Sequence, residues 1–214
     1  MNFKMVLFVL LVSISDLSHA LYGAKPLTPS SSASAVVTLH LNDPDKPQYD
    51  SFCSGVLVAP NKVLTTGHCI EVMGTELYEQ WNLFTFEPER IKVKIAGIKY
   101  EVSDVVIAHS YTEAVGYAGE DLAVITLKKN VTTVKPLKMV AKSSLKAGLP
   151  VSLIARSKIA ASIITSVKSY AGNVIVFTDG SKAGVCEGDS GGALLVKIGN
   201  EEFLAGILSA QSEG

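Results

Sequence analysis

Short apolar runs rich in β-branched residues, separated by turn formers, recur along most of the chain. They fall at Ala35–Leu41, Ser54–Ala59, Lys62–Thr66, Ile91–Ile98, Glu101–Ala108, Leu122–Leu127, Pro150–Ala155, Val174–Thr178, Ala193–Val196 and Phe203–Ser209. Val36, Val37, Val56, Val58, Val63, Val105, Val106 and Ile107 are the branched side chains that suit a pleated, half-buried surface. Asn42-Asp43-Pro44, Pro60-Asn61, Asp179-Gly180 and Gly199-Asn200 supply the turns between runs. Many short strands at this spacing predict an all-β sandwich or barrel pair rather than βαβ units. Helix is expected only in short pieces, over Ile70–Leu77 and Ala141–Lys146. The polar stretch Lys128–Leu137 predicts a seam, dividing a first unit over residues 21–130 from a second over 131–214. That stretch also holds Asn130-Val131-Thr132, a glycosylation sequon that matters only in a eukaryotic secretory host.

The first twenty residues break this pattern. Lys4 supplies a positive start, Met5 to Ile14 an apolar run, and Ser18-His19-Ala20 a small-x-small ending. That is the pattern of a secretory signal peptide over residues 1–20. The apolar run is too short to span a bilayer comfortably, although a membrane anchor or a buried first helix is the alternative. Export to an extracellular or periplasmic space implies oxidising conditions in which cysteines pair. No membrane association is expected once the segment is removed.

Composition narrows the rest. The 214 residues are 48% hydrophobic and 18% charged, which suits one compact unit or two small ones sharing an interface. A net charge of −1, with no basic run interleaved with aromatics, gives nucleic-acid binding no support.

Three stretches carry candidate chemistry. Gly184-Val185-Cys186-Glu187-Gly188-Asp189-Ser190-Gly191-Gly192 sets a serine among glycines that allow positive φ and bring N–H groups close to a bound group. Such a turn can present a nucleophilic hydroxyl and stabilise an oxyanion. Alone, it could equally be a hairpin loop whose serine caps a turn. Thr65-Thr66-Gly67-His68-Cys69 follows an apolar strand and holds one of four histidines, the side chain best suited to act as a base near neutral pH. A lone strand-end histidine can also be merely exposed. A bridge between Cys53 and Cys69 would close a loop of about 16 residues, stabilise by roughly 3 kcal/mol and lock the backbone beside His68. A zinc site from Cys53, His68 and Cys69 is the alternative, though it lacks the usual ligand spacing. Gly119-Glu120-Asp121-Leu122-Ala123-Val124 places an acid at the mouth of an apolar strand, where it can orient an imidazole or serve as an ordinary turn residue.

In the order His, Asp, Ser, these pieces resemble the trypsin/chymotrypsin-like serine proteases. Thr65–Cys69 is similar to that family's Thr-Ala-Ala-His-Cys box, Asp121–Val124 to its Asp-Ile-Ala-Leu box, and Gly188–Gly192 to its nucleophile box. Ala108-His109-Ser110-Tyr111 resembles the His-Pro-x-Tyr segment, which makes His109 structural, and Gly206–Ser209 resembles the strand that pairs with substrate backbone. The resemblance implies two antiparallel six-stranded β-barrels, with His68, Asp121 and Ser190 in the cleft between them. It implies an acyl-enzyme mechanism with an oxyanion hole at Gly188 and Ser190, and no cofactor or metal. Leu21-Tyr22-Gly23-Ala24 resembles the family's mature N-terminus, whose amino group pairs with the acid before the nucleophile, here Asp189. No Arg or Lys precedes Leu21, so signal cleavage itself is expected to expose that end.

The family's primary-pocket base falls at Gly184, followed by Val185, and neither is acidic. With Leu208, Ser209, Ala210 and Gln211 they form the expected substrate-binding set, suited to small or medium apolar residues rather than Arg or Lys. The expected partners are protein or peptide substrates and protein inhibitors, with the enzyme a monomer. One departure concerns the end of the chain. The family continues past the Ser209 strand with a further cysteine, strand and helix, so the second barrel is expected to be incomplete and Cys186 to lack its usual partner. A non-catalytic homologue used for binding, or an inactive fragment, are the competing expectations.

Overall fold

A computed structural model describes residues 21–28, 32–42, 51–74, 82–108, 121–170, 173–181 and 183–209. The signal segment, the Asp43-Pro44 turn, the His109 segment, Ala210 and Gln211 lie outside the described residues. Among these residues fourteen strands dominate, in the order β1 (Lys25–Pro26), β2 (Val36–Leu41), β3 (Cys53–Ala59), β4 (Lys62–Thr65), β5 (Glu71–Gly74), β6 (Asn82–Thr85) and β7 (Ile91–Ile95), then β8 (Ile98–Ile107), β9 (Ala123–Leu127), β10 (Pro150–Ala155), β11 (Lys158–Tyr170), β12 (Asn173–Thr178), β13 (Ala193–Ile198) and β14 (Glu201–Ile207). Helix is limited to single 3-10 turns among the described residues.

Six strands close the first barrel in the order β2-β3-β4-β9-β8-β7. Its interior follows from strict alternation: Ile91, Val93 and Ile95 of β7 point inward and are buried, while Lys92 and Lys94 lie between them. Ala123, Ile125 and Leu127 of β9 repeat the pattern. The second sheet runs β1-β11-β10-β13-β14, with β12 paired to β11, and does not close. Every pair within both sheets is antiparallel. The all-β, two-sheet architecture expected from the strand pattern is therefore present, with one closed barrel and one open sheet.

The halves share their interiors. Ala193 and Leu195 of β13 belong to the first core cluster, whereas Leu194 and Val196 belong to the second. Both faces of β13 are thus covered, which is why its sequence is a continuous apolar run rather than an alternating one. Val131, Val134 and Leu137, in the strandless segment after β9, also pack into the first cluster.

Three local expectations are corrected. Residues 71–74 form β5, paired antiparallel with β6, instead of the start of a helix over Ile70–Leu77; residues 75–77 lie outside the described set. The single run Ile91–Ile98 is two strands, β7 and β8, turned at Ala96 and Gly97, which take φ of 46° and 85°. β11 has no counterpart among the expected strands: its 13 residues are rich in Ala and Ser, which weakens the branched-residue signal, yet Ala160 and Ile164 are buried in the second core. Ala141–Lys146 contains one 3-10 turn, Lys142–Ser144.

Candidate active site

His68 is positioned from the first barrel. The chain leaves β4 at Thr65, whose hydroxyl donates to the Ser54 carbonyl at 2.8 Å, and turns through the 3-10 segment Gly67–Cys69. Cys69 is bonded to Cys53 at the start of β3, with Cα atoms 6.2 Å apart across 16 residues. This bridge staples the turn that carries His68 to the neighbouring strand. The sulfurs and the His68 ring are as close as the ligands of a metal site, their donor atoms all within 4.8 Å of one another. Joined as a disulfide, however, neither sulfur is the thiolate that zinc requires.

Asp121 stands just before β9 and addresses His68 with both carboxylate oxygens. Oδ1 accepts from the His68 backbone N–H at 3.0 Å, and Oδ2 lies 2.8 Å from Nδ1. The Ser209 hydroxyl also donates to Oδ2. Burial pushes the Asp121 carboxyl upward, but the hydrogen bond and charge of His68, the Ser209 hydroxyl and the His68 N–H together hold it below the ordinary carboxylate range. The carboxylate side chain is 6% exposed and that of His68 26%, so the acid is sheltered while the imidazole reaches the cleft.

Ser190 is supplied by the loop ahead of β13, and glycines decide how that loop fits. A Cβ on Gly191 would lie 1.9 Å from the Ser54 carbonyl oxygen and 2.4 Å from Thr65 Oγ1. A Cβ on Gly192 would lie 2.6 Å from the Ile154 carbonyl oxygen. Gly188 and Gly191 take φ of 83° and 82°, a region closed to most side chains. The loop is then pinned across the interface by the Ser54 N–H, which donates to the Ser190 carbonyl at 2.7 Å. Within the second half, the Gly191 N–H donates to the Leu208 carbonyl and the Leu208 N–H to the Gly192 carbonyl, each at 2.8 Å. Ser190 Oγ makes a long hydrogen bond of 3.4 Å to the Ser209 carbonyl. Ser209 therefore links the groups, with its hydroxyl on Asp121 and its carbonyl on Ser190. The N–H groups of Gly188 and Ser190 donate to no partner among the described residues, although Gly188 is buried.

Asp189, next to Ser190, is fully buried. Its Oδ2 accepts from the Cys186 N–H at 2.8 Å, while Oδ1 has no hydrogen bond of normal geometry among the described residues. Burial raises its carboxyl above the ordinary range, offset in part by the Cys186 N–H, the Arg156 charge, the Leu21 N–H and Lys158. Leu21 is itself 2% exposed within the second core, and the Tyr22 N–H donates to the Gly184 carbonyl at 3.0 Å. Gly184 and Val185 are half-buried near this contact, whereas Leu208 is buried in the second core. Cys186 is a free thiol.

Sequence reasoning does not single out Ser54, Thr65 or Arg156. Ser54 contributes through its N–H to the Ser190 carbonyl, and both Ser54 and Thr65 through their close approach to Gly191, contacts that exist only once the halves meet. Arg156 lies in the turn before the unexpected strand β11, so no motif signals it. Ser209 reads in the sequence as a substrate-strand residue, and its bond to Asp121 has no signature there.

No helix among the described residues is long and apolar enough to cross a membrane. A family model described as Trypsin matches residues 26–214. No curated protein matches the chain at a significant level. The match takes in most of the sequence, and the chain belongs to the trypsin family of serine proteases.

Proposed function

We propose that this member of the trypsin family is a secreted serine endopeptidase that works through an acyl-enzyme, with His68, Asp121 and Ser190 as its catalytic residues. The observation that carries the reading is the two-oxygen grip of Asp121 on His68, at 3.0 and 2.8 Å, with Ser209 bonded both to that carboxylate and to the Ser190 hydroxyl. Asp121 occupies Nδ1, so proton traffic runs through Nε2. Ser190 Oγ, released from the Ser209 carbonyl, adds to the scissile carbonyl as His68 takes its proton. The N–H groups of Gly188 and Ser190 receive the oxyanion, and His68 returns the proton to the leaving amine. Water then repeats the sequence on the acyl-enzyme to free Ser190. Asp121, kept ionised by its hydrogen bonds, stabilises the imidazolium in both halves.

The Cys186 and Leu21 N–H groups and the charges of Arg156 and Lys158 offset the burial of Asp189 only in part. Removal of residues 1–20 would turn Leu21 into an α-ammonium beside the unpartnered Oδ1, so signal cleavage would complete the site without a separate activation step. A secreted protein whose first residue, by mass spectrometry, is anything but Leu21 contradicts this. Gly184 and Val185 offer no carboxylate for a basic side chain, which supports cleavage after small or medium apolar residues, with Leu208, Ser209, Ala210 and Gln211 completing the substrate side. The enzyme would act as a monomer on protein or peptide substrates and be open to protein inhibitors of the cleft. Labelling of Ser190 by a fluorophosphonate, abolished in His68→Ala, tests the catalytic reading; a folded sample that resists labelling defeats it. Best turnover after Arg or Lys in a substrate panel would defeat the apolar preference.

A further inference from the structure

Arg156 occupies the β10–β11 turn, where it and Ser157 take φ of 43° and 60°. Its guanidinium packs directly on Gly188: a Cβ there would lie 2.1 Å from Nη2 and 2.7 Å from Nε. Nη2 donates to the Ser51 carbonyl at 2.6 Å, and Nε is buried with no acceptor among the described residues. A guanidinium carries five donors and keeps its charge, so one carbonyl leaves it well short of satisfied. Arg156 also lines a cavity of about 500 Å³ together with Val37, Thr38, His40, Ser51 and Lys94. No Asp or Glu is among the described residues lining that cavity, and the carboxylate whose charge Arg156 offsets, Asp189, is fully buried rather than part of that lining.

The position relative to Ser190 is informative. Ser190 is held between the Ser209 carbonyl, at Oγ, and the Ser54 N–H, at its own carbonyl. Ser209 continues the strand expected to pair with the acyl part of a substrate. Ser51 and Arg156 lie on the Ser54 side, where the departing part of the peptide would leave.

We infer that Arg156, with Lys94 in the cavity they share, binds an acidic side chain of the substrate a few residues beyond the scissile bond; this rests on the serine-protease reading. The carboxylate adds acceptors to a guanidinium whose Nε has none among the described residues. The site selects substrates rather than performing chemistry, and its effect falls on KM more than on kcat.

The test is cleavage by the active protein of matched peptides that carry Glu, Gln or Lys at each of the three positions after the cleaved bond. At one position Glu is expected to exceed Gln by about tenfold in kcat/KM, with Lys poorest, and high salt should shrink the ratio. Arg156→Gln and Lys94→Gln should each reduce the Glu:Gln ratio. A wild-type ratio near one at all three positions overturns the inference, and that comparison needs no variant to fold. A preference that survives Arg156→Gln also overturns it. Fluorophosphonate labelling of the same sample separates the failures: a labelled enzyme with a flat profile removes this site alone, whereas an unlabelled one removes the protease reading and this site with it.

Discussion

The first barrel closes its hydrogen-bond ladder on itself, whereas the second sheet ends at β14 and leaves Ile163, Val174 and Phe177 of the β11–β12 ribbon exposed. The contrast extends to the site. In the first half, His68 and Asp121 are held largely from within, by a disulfide at the adjacent Cys69 and a carboxylate that grips ring and backbone together, with the Ser209 hydroxyl reaching Asp121 from the second half. In the second, Ser190 depends on contacts from elsewhere, with Ser54 and Thr65 against its glycines and Leu21 near Asp189. A closed barrel supplies most of what holds this residue pair. An open sheet has to borrow rigidity from its neighbour.

Predictions that probe this contrast begin with the largest effect. Ser190→Ala or His68→Ala should each lower kcat by on the order of 10⁵–10⁶, and Asp121→Asn by about 10⁴, with thermal unfolding of the Ser190 variant nearly unchanged. A residual rate within tenfold of wild type for any of them would break the assignment of the triad across the two halves.

Gly191→Ala strikes the borrowed contact. The added Cβ cannot coexist with the Ser54 carbonyl 1.9 Å away, so the loop must retreat from the first barrel. Displacing Ser190 by about 1 Å should cost roughly 10² in kcat/KM, and the positive φ adds about 1–2 kcal/mol of strain. Kinetics and calorimetry on the purified variant check both, and wild-type kinetics would show that the loop is self-supporting after all.

Removing the staple acts on the other half. Cys53→Ser with Cys69→Ser should cost about 3 kcal/mol, or roughly 10 °C in Tm. Amide exchange should accelerate in β3 and around His68 while β10 and β13 hold their protection. Uniform acceleration across both halves would mean that the disulfide serves the whole molecule.

The smallest effect is in the pH dependence, where the two acids have opposite signs. The Asp121 carboxyl is depressed in the fold, so its stabilisation is present above the ordinary carboxylate range and fades as pH falls through its lowered value. The Asp189 carboxyl is raised while Leu21 is an amide, so its stabilisation exists only at acid pH and is lost as pH rises through the raised value. Asp189→Asn should therefore stabilise the uncleaved chain at neutral pH by about 1 kcal/mol, and destabilise the form that begins at Leu21, where an ammonium would face the carboxylate. Chemical unfolding of both forms between pH 4 and 8 distinguishes them; the same sign in both forms would separate Asp189 from the N-terminus.

Much of the fold is legible in the sequence because it rests on local pattern. Alternation in Ile91–Ile95 and Ala123–Leu127, and the continuous run Ala193–Val196, mark a half-buried and a doubly covered strand respectively. Where the pattern is diluted a strand goes unseen, as in β11 with its Ala and Ser; at Ala96-Gly97 the apolar run hides the turn that divides it. The motif residues His68, Asp121 and Ser190 stand out because reactive side chains sit beside glycine, cysteine and strand boundaries. Ser54, Thr65, Ser209 and Arg156 do not, because ordinary residue types gain their roles from what the fold places against them.

By itself, then, the sequence determined the strand-forming character of the chain, the candidates for its reactive groups and the glycines around them, all consequences of side-chain chemistry and nearest-neighbour sterics. Only the tertiary structure decided that Ser209 would join Asp121 to Ser190, that Gly191 would lie under the Ser54 carbonyl, and that Arg156 would rest on Gly188. Those contacts join residues 19 to 137 positions apart, and a separation of that kind leaves no periodicity in the chain to read.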